Sequence, residues 1–295
     1  MAGLLAKLRW LLQSPEFQRE PLRVMAKVLA WEWFRLRNKA VVYRFDRSFS
    51  VRLRPNEGVS RLTYYFGTSE PELFSFYDSF LREGMKVVDV GANIGLHSLF
   101  MAKRVGSSGG VYALEPSPYN FRRLETHVRE NHLTNIRAFP IALGNVSGEA
   151  FLDENKQDSS RSRLTHRGSG SLVKVVRLDD FLKAECLGKV DFLKLDVEGF
   201  ELRVLEGAET AFSESFCDVL QVELDPVNLA RQDAMGTGVV SWLNQRGYQL
   251  ARWDPLACKF RSPSADASCL YNSFFLSPVY AKKVLPTKDR VGDVS

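Results

Sequence analysis

The sequence predicts an α/β protein: a doubly wound, seven-stranded, mostly parallel sheet whose last strand runs antiparallel, preceded by an N-terminal helical extension. Three observations point to it. β-Branched runs alternate with helical patterns from Met85 onward, the rhythm of parallel strands joined by crossover helices. Lys86–Gly95 reads KVVDVGANIG and continues into LHSLFMAKRV, a strand, a glycine turn and a helix in succession. Two strand patterns, Tyr248–Trp253 and Leu270–Leu276, close the series with only a Ser/Pro/Asp loop between them, which makes them a hairpin.

The elements follow in order. Leu4, Leu5, Leu8, Leu11 and Leu12 share one helical face opposite Lys7 and Arg9, and Pro15 is expected to end that helix. Pro21 suits the first turn of a second helix, on which Leu22, Met25, Leu29, Trp33 and Leu36 form an apolar stripe. Such basic, Trp-bearing helices either pack as a lid on their own domain or lie on an anionic membrane. Alternation in VVYRF and FSVRL, separated by Asp46-Arg47-Ser48, reads as a hairpin. Ser69, Glu70 and Pro71 start a helix leading into the central strand.

After the glycine turn and its helix, VYALEP is the second strand and SPYNFRRLETHVRENH a helix with Phe121, Leu124 and Val128 inward. Ile136–Ile141 is the third strand, followed by Ala142-Leu143-Gly144-Asn145. Residues 153–171 are polar and aperiodic, either a disordered insertion or a loop that closes over a ligand. VKVVRLDDFL runs from strand to short helix, VDFLKLDVEGFELRVLEGA holds the fourth strand and a Glu-Gly turn, and CDVLQVEL is the fifth strand. VVSWLNQRGY is a helix ending at Gly247, and the tail from Ala281 is charged and expected to be loose. This divides the chain into an extension over 1–57, a main domain over 58–280 and a flexible tail over 281–295.

Composition narrows the function. The 295 residues are 45% hydrophobic and 25% charged, with a net charge of +5. Residues 1–47 hold ten Lys or Arg against four acids, so that segment alone carries +6 and the remainder about −1. The basic character belongs to the extension and gives no argument for nucleic acid binding by the main domain. It leaves peripheral membrane contact through residues 1–47 open. Cys186, Cys217, Cys258 and Cys269 are scattered without C-x-x-C spacing, as expected of thiols in a reducing compartment. No apolar run reaches membrane-spanning length, and the start lacks a leader's cleavage pattern. A cytoplasmic protein, with membrane association open, is the expectation. Oligomeric state is not legible.

Binding sites in open α/β sheets form at the C-terminal ends of the strands. Here the predicted strands end in acids: Asp89, Glu115, Asp196 and Glu223. Asp89 sits inside an apolar strand two residues before Gly91, where a carboxylate is costly without a partner. It would repel a dinucleotide pyrophosphate and attract the cationic end of S-adenosylmethionine; the alternative is a structural Asp capping its own turn. The turn reads G-A-N-I-G rather than G-x-G-x-x-G, which also disfavours a dinucleotide. Glu115 lies 20 positions after Gly95, the separation at which an acid can take both ribose hydroxyls.

Asp196, Glu198 and Glu201 fall within six residues. A carboxylate crowded there is expected to have a raised pKa and to act as a general base toward an acceptor hydroxyl. The alternatives stay open: Asp196 holding a cofactor amino group, Glu198 stabilising its turn, Glu201 in a helix's first turn, and Lys194 as a buried counter-charge on the face of Asp196. Asp196, Glu198 and Glu223 are also hard-cation ligands in kind, but no loop has an EF-hand pattern and no metal is assigned. His127 and His132 read as surface bystanders, His97 as packed beside the glycine turn, and His166 as a loop residue within reach of an acceptor.

VVDVGANIGLHSL, VYALEPSPYNF, VDFLKLDVEGFELRVLEGA and NSFFLSP together resemble the FkbM family of S-adenosylmethionine-dependent methyltransferases, over about Thr63 to Pro278. The resemblance implies a class I, Rossmann-like fold and methylation of a hydroxyl oxygen on a sugar, glycolipid or polyketide-type metabolite. It further implies S-adenosylmethionine as cofactor, held by Glu70, Asp89, Gly91, Asn93, Gly95, Glu115, Ala142 and Asp196. By the same resemblance Asp196, Glu198 and Glu201 would line the region where cofactor meets acceptor; with Glu223, from the strand ends, Asp196 and Glu198 are the candidates for the catalytic, acceptor side. The implied partner is a small-molecule or glycan acceptor. Rival readings are a cofactor-binding protein without turnover and a peripheral membrane protein acting on a lipid-linked partner.

Overall fold

The structure, a computed structural model, describes residues 12, 14–45, 48–55, 57–68, 70–153, 163–165, 170–225, 236–263 and 272–285. The chain forms two compact units, divided between Pro71 and Glu72.

In the first unit the helix expected over residues 4–12 lies, but for Leu12, outside the described residues, and Pro15 opens a short helix, Pro15–Arg19. At a first helical position its missing N–H is no loss, and Ser14 Oγ accepts the Phe17 N–H at 3.3 Å. The helix Pro21–Leu36 follows. Strands β1 (Val41–Phe45) and β2 (Phe49–Leu53) pair antiparallel as the expected hairpin, Val41 opposite Leu53. The helix Gly58–Phe66 packs with these elements: the Trp31 ring lies 5.3 Å from that of Tyr64 and 6.2 Å from that of Tyr65. Sequence alone had grouped that helix with the main domain.

The second unit is built on strands β3 (Lys86–Val90), β4 (Gly110–Leu114) and β5 (Ile136–Phe139). To these it adds β6 (Ile141–Leu143), β7 (Gly148–Asp153), β8 (Arg163–Thr165) and β9 (Ser171–Val176). Its last five are β10 (Val190–Leu195), β11 (Cys217–Glu223), β12 (Gln249–Asp254), β13 (Lys259–Arg261) and β14 (Asn272–Leu276).

The main sheet has the order β13-β12-β14-β11-β10-β3-β4-β5. Strands β5, β4, β3, β10 and β11 are parallel, and β14 runs antiparallel between β11 and β12. This is the expected doubly wound sheet with one correction. It has eight strands, because β13, in the stretch read as loop, extends the edge by pairing with β12.

Pro140 causes a second departure. The predicted third strand over 136–141 splits there: β5 stays on the main sheet, while β6 pairs with β9 in a separate four-stranded sheet, β6-β9-β7-β8. Proline has no N–H for the ladder, so the strand changes partners at that point. The polar segment 153–171 is not all loop, since Asp153 pairs with Arg163 at the start of β8; residues 154–162 and 166–169, His166 among them, lie outside the described residues. The tail expected from Ala281 begins as helix, Pro278–Val284, with Ala281 buried and Ser277 capping it by accepting the Tyr280 N–H at 3.2 Å.

One face of the sheet packs Val88, Val90, Leu193, Leu195, Leu220, Val222 and Phe275 into the main core. The other face includes an unusual row. Register aligns Ala113, Asp89, Lys194, Gln221 and Phe274 across five adjacent strands, and the central three are buried polar side chains. Burying three such groups is unfavourable unless each is satisfied, so the row must be answered by partners.

Candidate active site

β3 lies where the chain's winding changes sides, with β4 and β5 on one flank and β10 and β11 on the other. A crevice-forming switch point therefore falls at its C-terminal end. The glycine turn is tied down there: the N–H groups of Gly91 and Ala92 both donate to the Leu114 carbonyl at 3.0 Å. Gly91 has φ +83°, and a Cβ on it would sit 1.8 Å from the Asp196 carbonyl oxygen. Asp196 in turn donates its N–H to Val90 at 3.1 Å. Only a glycine lets the ends of β3 and β10 approach this closely. Gly95 has φ +90° and a Cβ there would meet Leu124 at 2.4 Å. Asn93 sits between them at φ +53°, its Oδ1 accepting the Ile94 N–H at 2.8 Å.

Glu115, just past β4, is buried against this turn. Its Oε2 accepts the Asn93 N–H at 2.7 Å and its Oε1 the Ser117 N–H at 2.8 Å. Burial outweighs these bonds and pushes the carboxyl up to about 7. Asp89 Oδ2 accepts from Ser98 Oγ at 2.5 Å, across the first turns of the helix Leu96–Val105. Its other oxygen, Oδ1, is buried with no hydrogen-bond partner among the described residues.

Lys194 is 1% exposed and donates its ammonium to Asp196 Oδ2 at 2.7 Å. Asp196 keeps a quarter of its side-chain surface open. Burial raises its pKa, but the Lys194 charge, a hydrogen bond with the Glu223 carboxyl and the nearby His97 outweigh that and hold it down to about 2. The expectation of a raised pKa at this position is therefore wrong for Asp196. Crowding by acids is real, but the buried ammonium dominates it. The Lys194 charge thus keeps Asp196 anionic, with the Glu223 side chain in hydrogen-bond contact with it. His97 bonds to Tyr77 Oη through Nδ1 at 3.1 Å, with its ring 5.0 Å from that of Phe74.

Glu201 Oε1 accepts the N–H groups of Val197 at 3.2 Å and Gly199 at 3.0 Å, so it braces the turn after β10; burial lifts it to about 7. Glu198 stands in that turn at φ +55° and is half-buried. Ala142 is buried in β6, paired with Val175. Glu70 belongs to the first unit, where its N–H donates to Thr68 Oγ1 at 3.1 Å. Asp89, Gly91, Asn93, Gly95 and Glu115 thus meet at one turn, and Asp196 and Glu223 meet beside it.

Two supports escaped sequence reading. His127 is no surface bystander: it is buried, and its Nδ1 lies 2.8 Å from the Ile94 carbonyl of the glycine turn. The buried face of the helix Pro118–Glu130 runs through Asn120, Arg123, Leu124 and His127, a polar stripe that an apolar-periodicity search passes over. Ser98 was the other, one turn into the helix that follows.

The groups present suit a cationic adenosyl cofactor: an unanswered buried carboxylate oxygen on Asp89, a two-oxygen acid at the end of β4, and a turn with glycine at each end between them. Among the described residues no group of three or more His, Cys, Asp or Glu is placed to hold a metal ion.

The family described as the methyltransferase FkbM domain matches residues 89–250. Methyltransferase sdnD of Sordaria araneosa is 28% identical over 206 residues, which cover 57% of this chain and 77% of that protein. The hexuronic acid methyltransferase AglP of Haloferax volcanii is 24% identical over 145 residues, 48% of this chain and 59% of that one. Among solved structures, methyltransferase FkbM of Methylobacillus flagellatus aligns over 74% of this chain and 54% of its own, at 19% identity and a TM-score of 0.45.

Proposed function

This chain belongs to the FkbM family of methyltransferases, and on that premise we propose that it moves a methyl group from S-adenosylmethionine to a hydroxyl of a sugar, glycolipid or polyketide-type metabolite. The observation that carries the reading is the junction of Asp89, Glu115 and Asp196 around the turn Gly91–Gly95, with Asp89 Oδ1 unanswered. A relative named for a hexuronic acid substrate supports a polyhydroxylated acceptor.

Asp89, Gly91, Asn93, Gly95, Glu115 and Ala142 would hold the cofactor, which supplies an electrophilic methyl on a sulfonium. Glu115, once ionised, accepts hydrogen bonds from vicinal hydroxyls. Gly91 and Gly95 let the turn close against Asp196 and Leu124, which fixes the backbone that would face the ligand. Asp196, kept anionic by Lys194, attracts a cationic group and orients an acceptor hydroxyl. Asp196 and Glu223 would position the acceptor hydroxyl, whose proton would pass to water, since a carboxylate held at about 2 is too weak a base to keep it. Positioning of this kind can supply up to about 7–11 kcal/mol of a barrier.

The test is calorimetric titration of the protein with S-adenosylhomocysteine, followed by label transfer from S-adenosylmethionine into a glycan and metabolite extract. Binding with a product heavier by one methylene equivalent is expected. A folded protein that binds no S-adenosylhomocysteine would sink the proposal.

A further inference from the structure

The helix Pro21–Leu36 carries two apolar faces, and among the described residues one of them is buried and the other exposed. Val24 and Trp31, seven residues apart, are buried in the first unit, and Lys27 between them donates to the Tyr65 carbonyl at 3.1 Å. The other face consists of Leu22, Met25, Leu29, Trp33 and Leu36, whose spacings of three and four residues put them in one stripe on the far side of the helix. Leu22 is 86% exposed, Leu29 67% and Leu36 79%. A surface helix ordinarily turns charge to water on that side, and a contiguous apolar stripe there marks an interaction surface.

We propose that this stripe docks on an anionic lipid surface. Charge selects the occupant. Residues 1–47 carry ten Lys or Arg against four acids, whereas the rest of the chain is close to neutral. Anionic headgroups complement that excess as the stripe enters the acyl boundary; on the helix itself Arg23 and Arg35 are paired with Glu20 and Glu32, and Arg37 stands at Trp33 at the end of the stripe. Trp33 is in the stripe with the Arg37 guanidinium 4.7 Å from its ring, an arrangement suited to the headgroup level.

A second copy of the helix fits less well. The seven-residue repeat through Leu22, Leu29 and Leu36 would put Met25 and Glu32 at the other seam position, and Glu32 would face a dry interface. Spanning is not at issue, because no helix among the described residues is long and apolar enough to cross a membrane. The helix lies along the surface, preformed because its opposite face is held by Trp31. The inference does not rest on methyl transfer, and its failure would leave that reading untouched.

The experiment mixes the full chain with sedimentable vesicles, either pure phosphatidylcholine or phosphatidylcholine with roughly a third phosphatidylglycerol. The protein is expected to sediment with the anionic vesicles and to be released as salt is raised. A Leu22→Ser, Leu29→Ser, Leu36→Ser triple variant should lose vesicle partitioning by about tenfold or more. Since all three side chains are exposed, its circular dichroism and melting temperature should match the parent's. Leu172→Ser, an exposed leucine on β9, serves as the control and should partition like the parent. Failure to sediment, equal binding to both vesicle types, or undiminished binding of the triple variant would each overturn the proposal. So would a vesicle-free dimer that the triple variant abolishes while vesicle binding is absent.

Discussion

The Lys194 ammonium, buried to 1% exposure, stands 2.7 Å from Asp196 Oδ2, and Glu223 hydrogen-bonds to the same carboxylate. One cation thus holds Asp196 anionic where the ends of two neighbouring strands meet. Replacing it by Lys194→Met leaves an uncompensated buried charge, which should cost about 3–5 kcal/mol of stability. Methyl transfer should fall at least about a hundredfold. Adding Asp196→Asn should restore most of the melting temperature and none of the turnover. If Lys194→Met alone melts and turns over like the parent, the ion pair has no role.

Asp196 has a definite sign in pH. Its folded pKa, about 2, lies below the ordinary carboxylate value of 3.8. It therefore contributes stability above pH 3.8, lost as pH falls toward 2. Denaturant titrations of the parent and Asp196→Asn should differ near neutrality and converge at the acid end.

Glu115 and Glu201 act in the opposite sense. Each is raised by burial from 4.5 to about 7, so between those limits the folded state holds more protons than the unfolded chain. Stability should fall as pH rises from 4.5 to 7 and then level off. Glu115→Gln and Glu201→Gln should each flatten that slope in thermal melts taken across the range; an unchanged slope in both would contradict the assignment.

On the proposed function, the same carboxyl would govern cofactor affinity. Glu115 must be ionised to accept two hydroxyls, so S-adenosylhomocysteine should bind more tightly as pH rises through about 7. Glu115→Gln should weaken it by about 10- to 100-fold and remove the pH dependence, consistent with charged hydrogen bonds worth about 1.5–3 kcal/mol. Calorimetry at several pH values reads both effects.

Gly91→Ala should be far more damaging than Gly148→Ala. A Cβ at Gly91 meets the Asp196 carbonyl at 1.8 Å with φ at +83°, while one at Gly148 meets nothing within 4 Å. The first should cost about 3 kcal/mol or more and abolish cofactor binding; the second should be neutral within about 0.5 kcal/mol. Melting temperatures of the two variants decide the matter.

His127→Leu removes the bond to the Ile94 carbonyl and should cost about 1–3 kcal/mol. Because it touches the turn and not the acceptor side, KM for the cofactor should rise more than kcat falls. An equal loss in both would place His127 in the chemistry.

Much of this architecture is local and therefore legible in a single sequence. The β-branched runs place β3, β10 and β11, and the terminal hairpin announces the antiparallel strand. GANIG marks the turn because its glycines answer to backbone geometry. Pro140 was equally visible, yet its effect was not, since breaking a strand depends on which partner it would have paired with. The short edge strand β13 has no periodicity of its own and exists through pairing with β12.

By itself the sequence determined that acids cap the ends of β3, β4, β10 and β11 around a glycine turn, because strand period and glycine spacing are properties of neighbours along the chain. Only the tertiary structure decided how those acids are ionised, which helix face is buried, and that His127 braces the turn. Each depends on groups brought together from distant positions: Glu223 on Asp196, His127 under Ile94, Trp31 against Tyr64. Desolvation and charge act through space, and distance through space is what the order of residues does not contain.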